Sequence, residues 1–178
     1  ELLLNDISLV AHERAAESRA ENSGQLADQI AVAAIKYQIL KQAAGKDIIF
    51  DQERALSLDC DSGPYVQYAH ARARSVVAAA KEAGVEPEVG APETDEERLV
   101  ARLLMQFPDA VARAQAEYAP HHVAQYAGEL AALYNRWYAH ERVVGDPAAA
   151  RRAALTQAVA ITLKKALWLL GIRAPEKM

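Results

Sequence analysis

Tyr65, Tyr68 and Arg72 fall at i, i+3 and i+7 in the stretch Gly63-Pro64-Tyr65-Val66-Gln67-Tyr68-Ala69-His70-Ala71-Arg72-Ala73-Arg74. On one flank of a helix, two phenol rings and a guanidinium can stack on nucleobases and pair with phosphate. The same spacing also suits two tyrosines half-packed on a neighbouring helix beside a solvated arginine, and spacing alone does not choose between the two. A helix must carry these residues. Pro64 suits its first turn, where a missing N–H costs nothing, and Asp61 or Ser62 can cap the free amides. On a wheel of 100° per residue Val66, Ala69, Ala73, Val77 and Ala80 gather on another side, the expected core face.

Other reactive groups make no pattern. Five histidines and one cysteine are scattered, and no pair has zinc spacing with a matching second pair. Asp59, Cys60 and Asp61 are close in sequence, but one carboxylate there is better used as a helix cap than as a metal ligand. No phosphate-binding loop or dinucleotide fingerprint occurs. No catalytic residue and no metal ligand is predicted.

Composition narrows the class. The chain has 178 residues and is 52% hydrophobic but only 6% aromatic, and much of the apolar content is alanine. That balance favours closely packed helices over sheet. No run of 18 apolar residues exists, so no membrane span is expected, and the first 20 residues lack the pattern of a signal peptide. The lone Cys60 excludes an internal disulfide and fits a reducing compartment. A net charge of −4 argues against a general binder of nucleic acid, which would be basic. Residues 1–58 hold six Lys/Arg against nine Asp/Glu, and residues 59–178 hold 14 against 15. The second part is close to neutral, so local basic spots such as Arg72/Arg74, Arg151/Arg152 and Lys164/Lys165 can still meet phosphates.

The periodicity predicts an all-α bundle with short connections. Helices are expected over residues 6–21 and 25–42, with a break at Glu21-Asn22-Ser23-Gly24. Asp47-Ile48-Ile49-Phe50 reads as a buried, strand-like connector, and Asp51 as the cap of a short helix through Leu58. The Tyr65 helix continues to about Ala83. Gly84, Pro87, Gly90 and Pro92 mark a mobile loop. Thr94 and Glu97 form a capping box ahead of a helix whose apolar face is Leu99, Leu103, Leu104 and Phe107. A shorter helix is expected over Asp109–Tyr118. Pro120 opens a helix with Val123, Tyr126, Ala127, Leu130, Tyr134, Trp137 and Tyr138 in one broad stripe. In the last helix Asp146 is the expected cap and Pro147 the first position, and Gly171 is the stop.

The literal strings are more specific than their physics. Gly63 to Val76 resembles the helix that opens the C-terminal anticodon-binding domain of arginyl-tRNA synthetases, class I enzymes. Ile35 to Lys41 and Lys46 to Asp51 resemble the segment leaving that family's catalytic domain. Pro120 to Tyr126, Leu133-Tyr134-Asn135, Leu169-Leu170-Gly171-Ile172 and Pro175-Glu176-Lys177-Met178 are similar to its later helices and ending. Cys60 departs from the family, which usually has glycine there. The signature loops of class I catalysis are missing; His121-His122 follows Pro120 with no flanking glycine and reads as a helix start.

The resemblance implies two regions. Residues 1–58 would be the helical tail of the catalytic domain, and 59–178 the anticodon-binding domain of a longer enzyme, since Glu1 is not an initiator Met. It implies that Tyr65, Tyr68 and Arg72 meet the anticodon loop of an arginine tRNA, joined by Tyr134, Tyr138 and Met178, whose terminal carboxylate can accept from a base amino group. Gln67 and His70 are secondary candidates. Expected partners are arginine tRNA and the catalytic domain of the same protein, with no DNA and no membrane, in the cytoplasm. No cofactor is expected on these residues; ATP and Mg are implied for the full-length ligase. The rival reading is a helical protein-interaction or dimerisation module that binds no RNA. The two differ in whether the rings, Arg72 and the chain end are exposed in one groove or buried apart.

Overall fold

A computed structural model describes residues 2–17, 23–59 and 61–178. Those residues form eight helices: α1 (Leu2–Glu17), α2 (Ser23–Leu40), α3 (Gln52–Ala55), α4 (Gly63–Glu82), α5 (Asp95–Met105), α6 (Phe107–Ala116), α7 (His121–His140) and α8 (Ala149–Leu169). There is no strand among them. The expected all-α class is the observed one. Residues 18–21 of the helix expected over 6–21, Glu21 and Asn22 of the break after it, and Cys60 lie outside the described residues.

Local signals explain the helix starts. The Asp51 carboxylate accepts from the Arg54 amide at 3.1 Å, and the Ser62 hydroxyl from the Tyr65 amide at 3.0 Å. Of the two residues able to cap α4, Ser62 does so. Thr94 Oγ1 accepts from the Glu97 amide at 3.1 Å, while Glu97 reaches back to the Glu93 amide at 2.8 Å. At α8 the expectation is corrected: the helix begins at Ala149, and Asp146 instead holds a turn, accepting from the Ala148 amide at 2.8 Å. Gly171 takes φ +64°, a left-handed conformation, and closes α8 with the Ile172 amide donating to the Leu167 carbonyl at 2.9 Å.

Two cores share one helix. Ala27, Ala31 and Ala34 of α2 pack with Ile7 and Ala11 of α1 and with Ala55 and Leu56 near α3. Ala33 and Tyr37, on the other side of α2, join the larger core built from α4, α5, α7 and α8. Small residues let the backbones close up. A Cβ on Gly63 would lie 2.2 Å from the Ala33 carbonyl oxygen, so α4 starts directly against α2. The Tyr37 hydroxyl donates to the Asp61 carboxylate and lies 3.0 Å from the Ala124 carbonyl oxygen, tying α2 to the turn ahead of α4 and to α7. Burial, and then the Asp61 carboxylate, push the Tyr37 phenol far up, so it stays protonated and able to donate.

Several expected faces shift by one residue. On α4 Val76 is buried and Val77 only half-buried. On α5 Val100 and Leu103 are buried while Leu99 is exposed. The connector at 47–50 has no regular secondary structure and joins no sheet, and Ile49 is 93% exposed. The loop after α4 is tethered: the Glu88 amide donates to the Ala150 carbonyl at 3.0 Å, and Gly90 lies against the Arg151 side chain. No described helix is long and apolar enough to cross a membrane.

Candidate nucleic-acid interface

Tyr68 and Arg72 are one turn apart on α4 and meet directly. The Arg72 guanidinium carbon stands 4.6 Å from the centre of the Tyr68 ring and 5.7 Å from that of Tyr138 on α7. One Arg72 nitrogen donates to the Tyr68 hydroxyl and another to Asn135 Oδ1, both at 2.9 Å. Two hydrogen bonds and two ring faces fix the orientation of the guanidinium. Tyr68, Arg72, Asn135 and Tyr138 are all half-buried, so one side of the cluster faces solvent.

Tyr68 also borders a cleft of about 460 Å³. Its walls include Leu26 and Ile30 of α2, Leu56 and Leu58 after α3, and Met178. Such a volume is in the range of small-ligand sites. Glu53 and Asp59 sit on its lining, so the cleft is apolar with an acidic edge. Phosphate is disfavoured there, while a ring carrying an amino group fits, because a carboxylate can accept from it.

The residues expected from sequence to meet RNA separate into three groups. Tyr68, Arg72 and Tyr138 come together, and Met178 shares the cleft with Tyr68. Tyr65 is half-buried against the main core and does not line the cleft. Tyr134 is wholly enclosed and cannot present its ring to a base in this conformation. It packs beside Trp137 and parallel to Tyr138, with centroids 6.0 Å apart and planes at 22°, so it backs the Tyr138 ring. The secondary candidates are also buried. Gln67 Nε2 donates to the Arg173 carbonyl at 2.7 Å, and His70 Nδ1 lies 3.0 Å from the Ala160 carbonyl. Burial lowers the His70 pKa, favouring the neutral ring that donates to Ala160. Both residues hold the bundle together rather than face a ligand.

Sequence reasoning missed Asn135 and the wall at Leu26, Ile30 and Leu58. Asn135 is 63 positions from Arg72, and only the packing of α7 on α4 makes it a partner. Leu58, an apolar residue between Ser57 and Asp59, was the available signal. Among the described residues no group of three His, Cys, Asp or Glu is placed to hold a metal ion.

Fold and site together define an all-helical module whose ring-and-guanidinium face opens on an apolar cleft. Residues 66–178 match the pattern of the DALR anticodon binding domain, and the chain belongs to that family. Arginine–tRNA ligase of Lactiplantibacillus plantarum is 37% identical over 183 residues, an alignment covering 99% of this chain and 32% of the ligase. The structure is similar to that of Thermus thermophilus arginyl-tRNA synthetase, with a TM-score of 0.88 and 36% identity over 99% of this chain and 32% of that one. Arginyl-tRNA synthetase from Plasmodium falciparum shares the fold at a TM-score of 0.85 and 20% identity, over 99% of this chain and 33% of its own. The chain spans about a third of the length of the curated relatives it matches.

Proposed function

We propose that this chain is the C-terminal, anticodon-loop-binding part of an arginine–tRNA ligase. Residues 59–178 grip the loop, and residues 1–58 are the helical end of the catalytic region, docked on them through α2. The remainder of the ligase carries out the attachment of arginine to its tRNA, with ATP and Mg, in the cytoplasm. The observation that carries this reading is the Tyr68–Arg72–Tyr138 cluster beside the cleft that Tyr68 shares with Met178. An unpaired loop base is splayed from its stack and can enter an apolar cleft, lie against a ring and be read by its edge. Arg72, held by Tyr68 and Asn135, keeps one guanidinium face towards Tyr68 and is half-buried, which leaves its charge within reach of a phosphate outside the cleft. Tyr65 flanks this surface, and Tyr134 supports it from below.

Filter binding of the chain to an arginine tRNA, against the same tRNA with an altered anticodon, tests the reading. Tyr68→Ala and Arg72→Ala should each weaken binding by roughly 1–3 kcal/mol. Unchanged affinity in both variants, or equal affinity for both tRNAs, refutes it.

A further inference from the structure

The last segment of the chain, after Gly171, has no regular secondary structure, yet it is pinned at successive points. Lys36 Nζ donates to the Gly171 carbonyl at 2.6 Å, Ile172 is buried in the main core, and Gln67 holds the Arg173 carbonyl. Pro175 is buried. Beyond it a single side chain ties the segment down. The Glu176 carboxylate receives Arg74 Nε of α4 at 2.5 Å on one oxygen and Lys164 Nζ of α8 at 2.7 Å on the other. Met178 comes two residues later and lines the same cleft as Tyr68.

We propose that Glu176 is the positioning residue of the cleft: clamped between Arg74 and Lys164, it sets where Met178 stands beside Tyr68, and so keeps the cleft shaped for a base. The inference deepens the RNA reading above and rests on it. The geometry supplies the reason. With the clamp closed, Met178 is within about 7 Å of its last fixed point; with it open, the last fixed point is Pro175 and the reach grows to about 10 Å. Glu176, Arg74 and Lys164 are each about half exposed, so the clamp contributes little to global stability. Its effect falls on the local order of three residues, which is the quantity a binding wall depends on.

The chain contains two methionines, Met105 and Met178, and Met105 is 79% exposed, far from α4 in sequence. Labelling both methyls with 13C therefore gives a probe and an internal reference, assigned with Met105→Leu. In the unaltered chain the Met178 methyl should resonate away from the free-chain position. In Glu176→Ala it should move to that position, with Met105 and the melting temperature unchanged. If the freed tail occupies the clamped place in about one molecule in ten, the apparent Kd for an arginine tRNA transcript rises about tenfold. In a Met178→Ala background Glu176→Ala should weaken binding by less than it does in the parent, because only the main chain and its terminal carboxylate remain to be placed. A Met178 methyl that stays put in Glu176→Ala overturns the proposal, as does full RNA affinity in that variant. Tyr68→Ala, measured alongside, separates the failures: if it weakens binding, only the clamp is wrong, and if it is silent too, the RNA reading has fallen with it.

Discussion

Gly63→Ala should damage the joint between α2 and α4 out of proportion to one methyl group. The added Cβ would sit 2.2 Å from the Ala33 carbonyl oxygen and 2.5 Å from its carbon, both main-chain atoms of α2. No rotamer change relieves such a contact. An ordinary separation is about 3.5 Å, so the helices must part by more than about 1 Å. Overpacking of this kind costs about 1–3 kcal/mol when side chains can yield, and here the backbone must yield instead. The same movement draws Tyr37 away from Asp61 and Ala124, which adds about 1–3 kcal/mol for buried polar groups left unpaired. Alanine's better helix propensity returns under about 1 kcal/mol, and less at a helix's first position. The net expectation is a loss of roughly 3–5 kcal/mol. Urea unfolding followed by circular dichroism reads this as a lower midpoint at unchanged slope. Since the cleft lies between α2, Leu58 and Tyr68, affinity for tRNA should fall as well. A variant within about 0.5 kcal/mol of the parent would show that α2 does not rest on α4 as described.

Perturbations at two other positions test the packing of the bundle. The Glu97 side chain is 1% exposed and lies 3.1 Å from Arg152 Nε and 3.3 Å from Arg151 Nε. Glu97→Gln should cost about 3 kcal/mol, the lower end for a broken buried pair, because Arg152 keeps Glu141 at 2.6 Å. Burial alone would raise the Glu97 pKa, but the Glu93 amide and the two arginines outweigh it and hold the carboxyl below its ordinary value of 4.5. A depressed folded pKa gives stability that is complete above the ordinary value and lost as pH falls through the depressed one. The urea midpoints of parent and Glu97→Gln should therefore converge in acid, and a constant gap from pH 7 to pH 2 refutes the assignment. Tyr134→Phe should be neutral within about 0.5 kcal/mol and leave tRNA affinity intact, since the buried hydroxyl has no well-formed hydrogen bond. Tyr134→Ala should cost roughly 3–5 kcal/mol by removing the support under Tyr138. A loss of affinity in Tyr134→Phe without loss of stability would return that hydroxyl to the binding surface.

What could be read from sequence was what depends on near neighbours. Ser62, Thr94 and Asp51 cap their helices through amides three residues away, and Gly171 stops α8 through a conformation that other residues resist. The stripe on α7 and the family strings were legible for the same reason: each is carried by a short stretch of chain. Local pattern could also place Tyr68 and Arg72 on one flank of α4.

The bundle settled which of those side chains are available. Tyr134 and Tyr138 share a stripe and differ by one turn, yet the first is enclosed and the second borders Arg72, because burial depends on what lies over a position. Ile48 and Ile49 read as buried but find no partner strand. Asn135 joins Arg72 from 63 positions away, and Arg74 and Lys164 converge on Glu176 from two helices. Such meetings are fixed by the packing of whole helices on one another, a long-range quantity that no window of sequence contains.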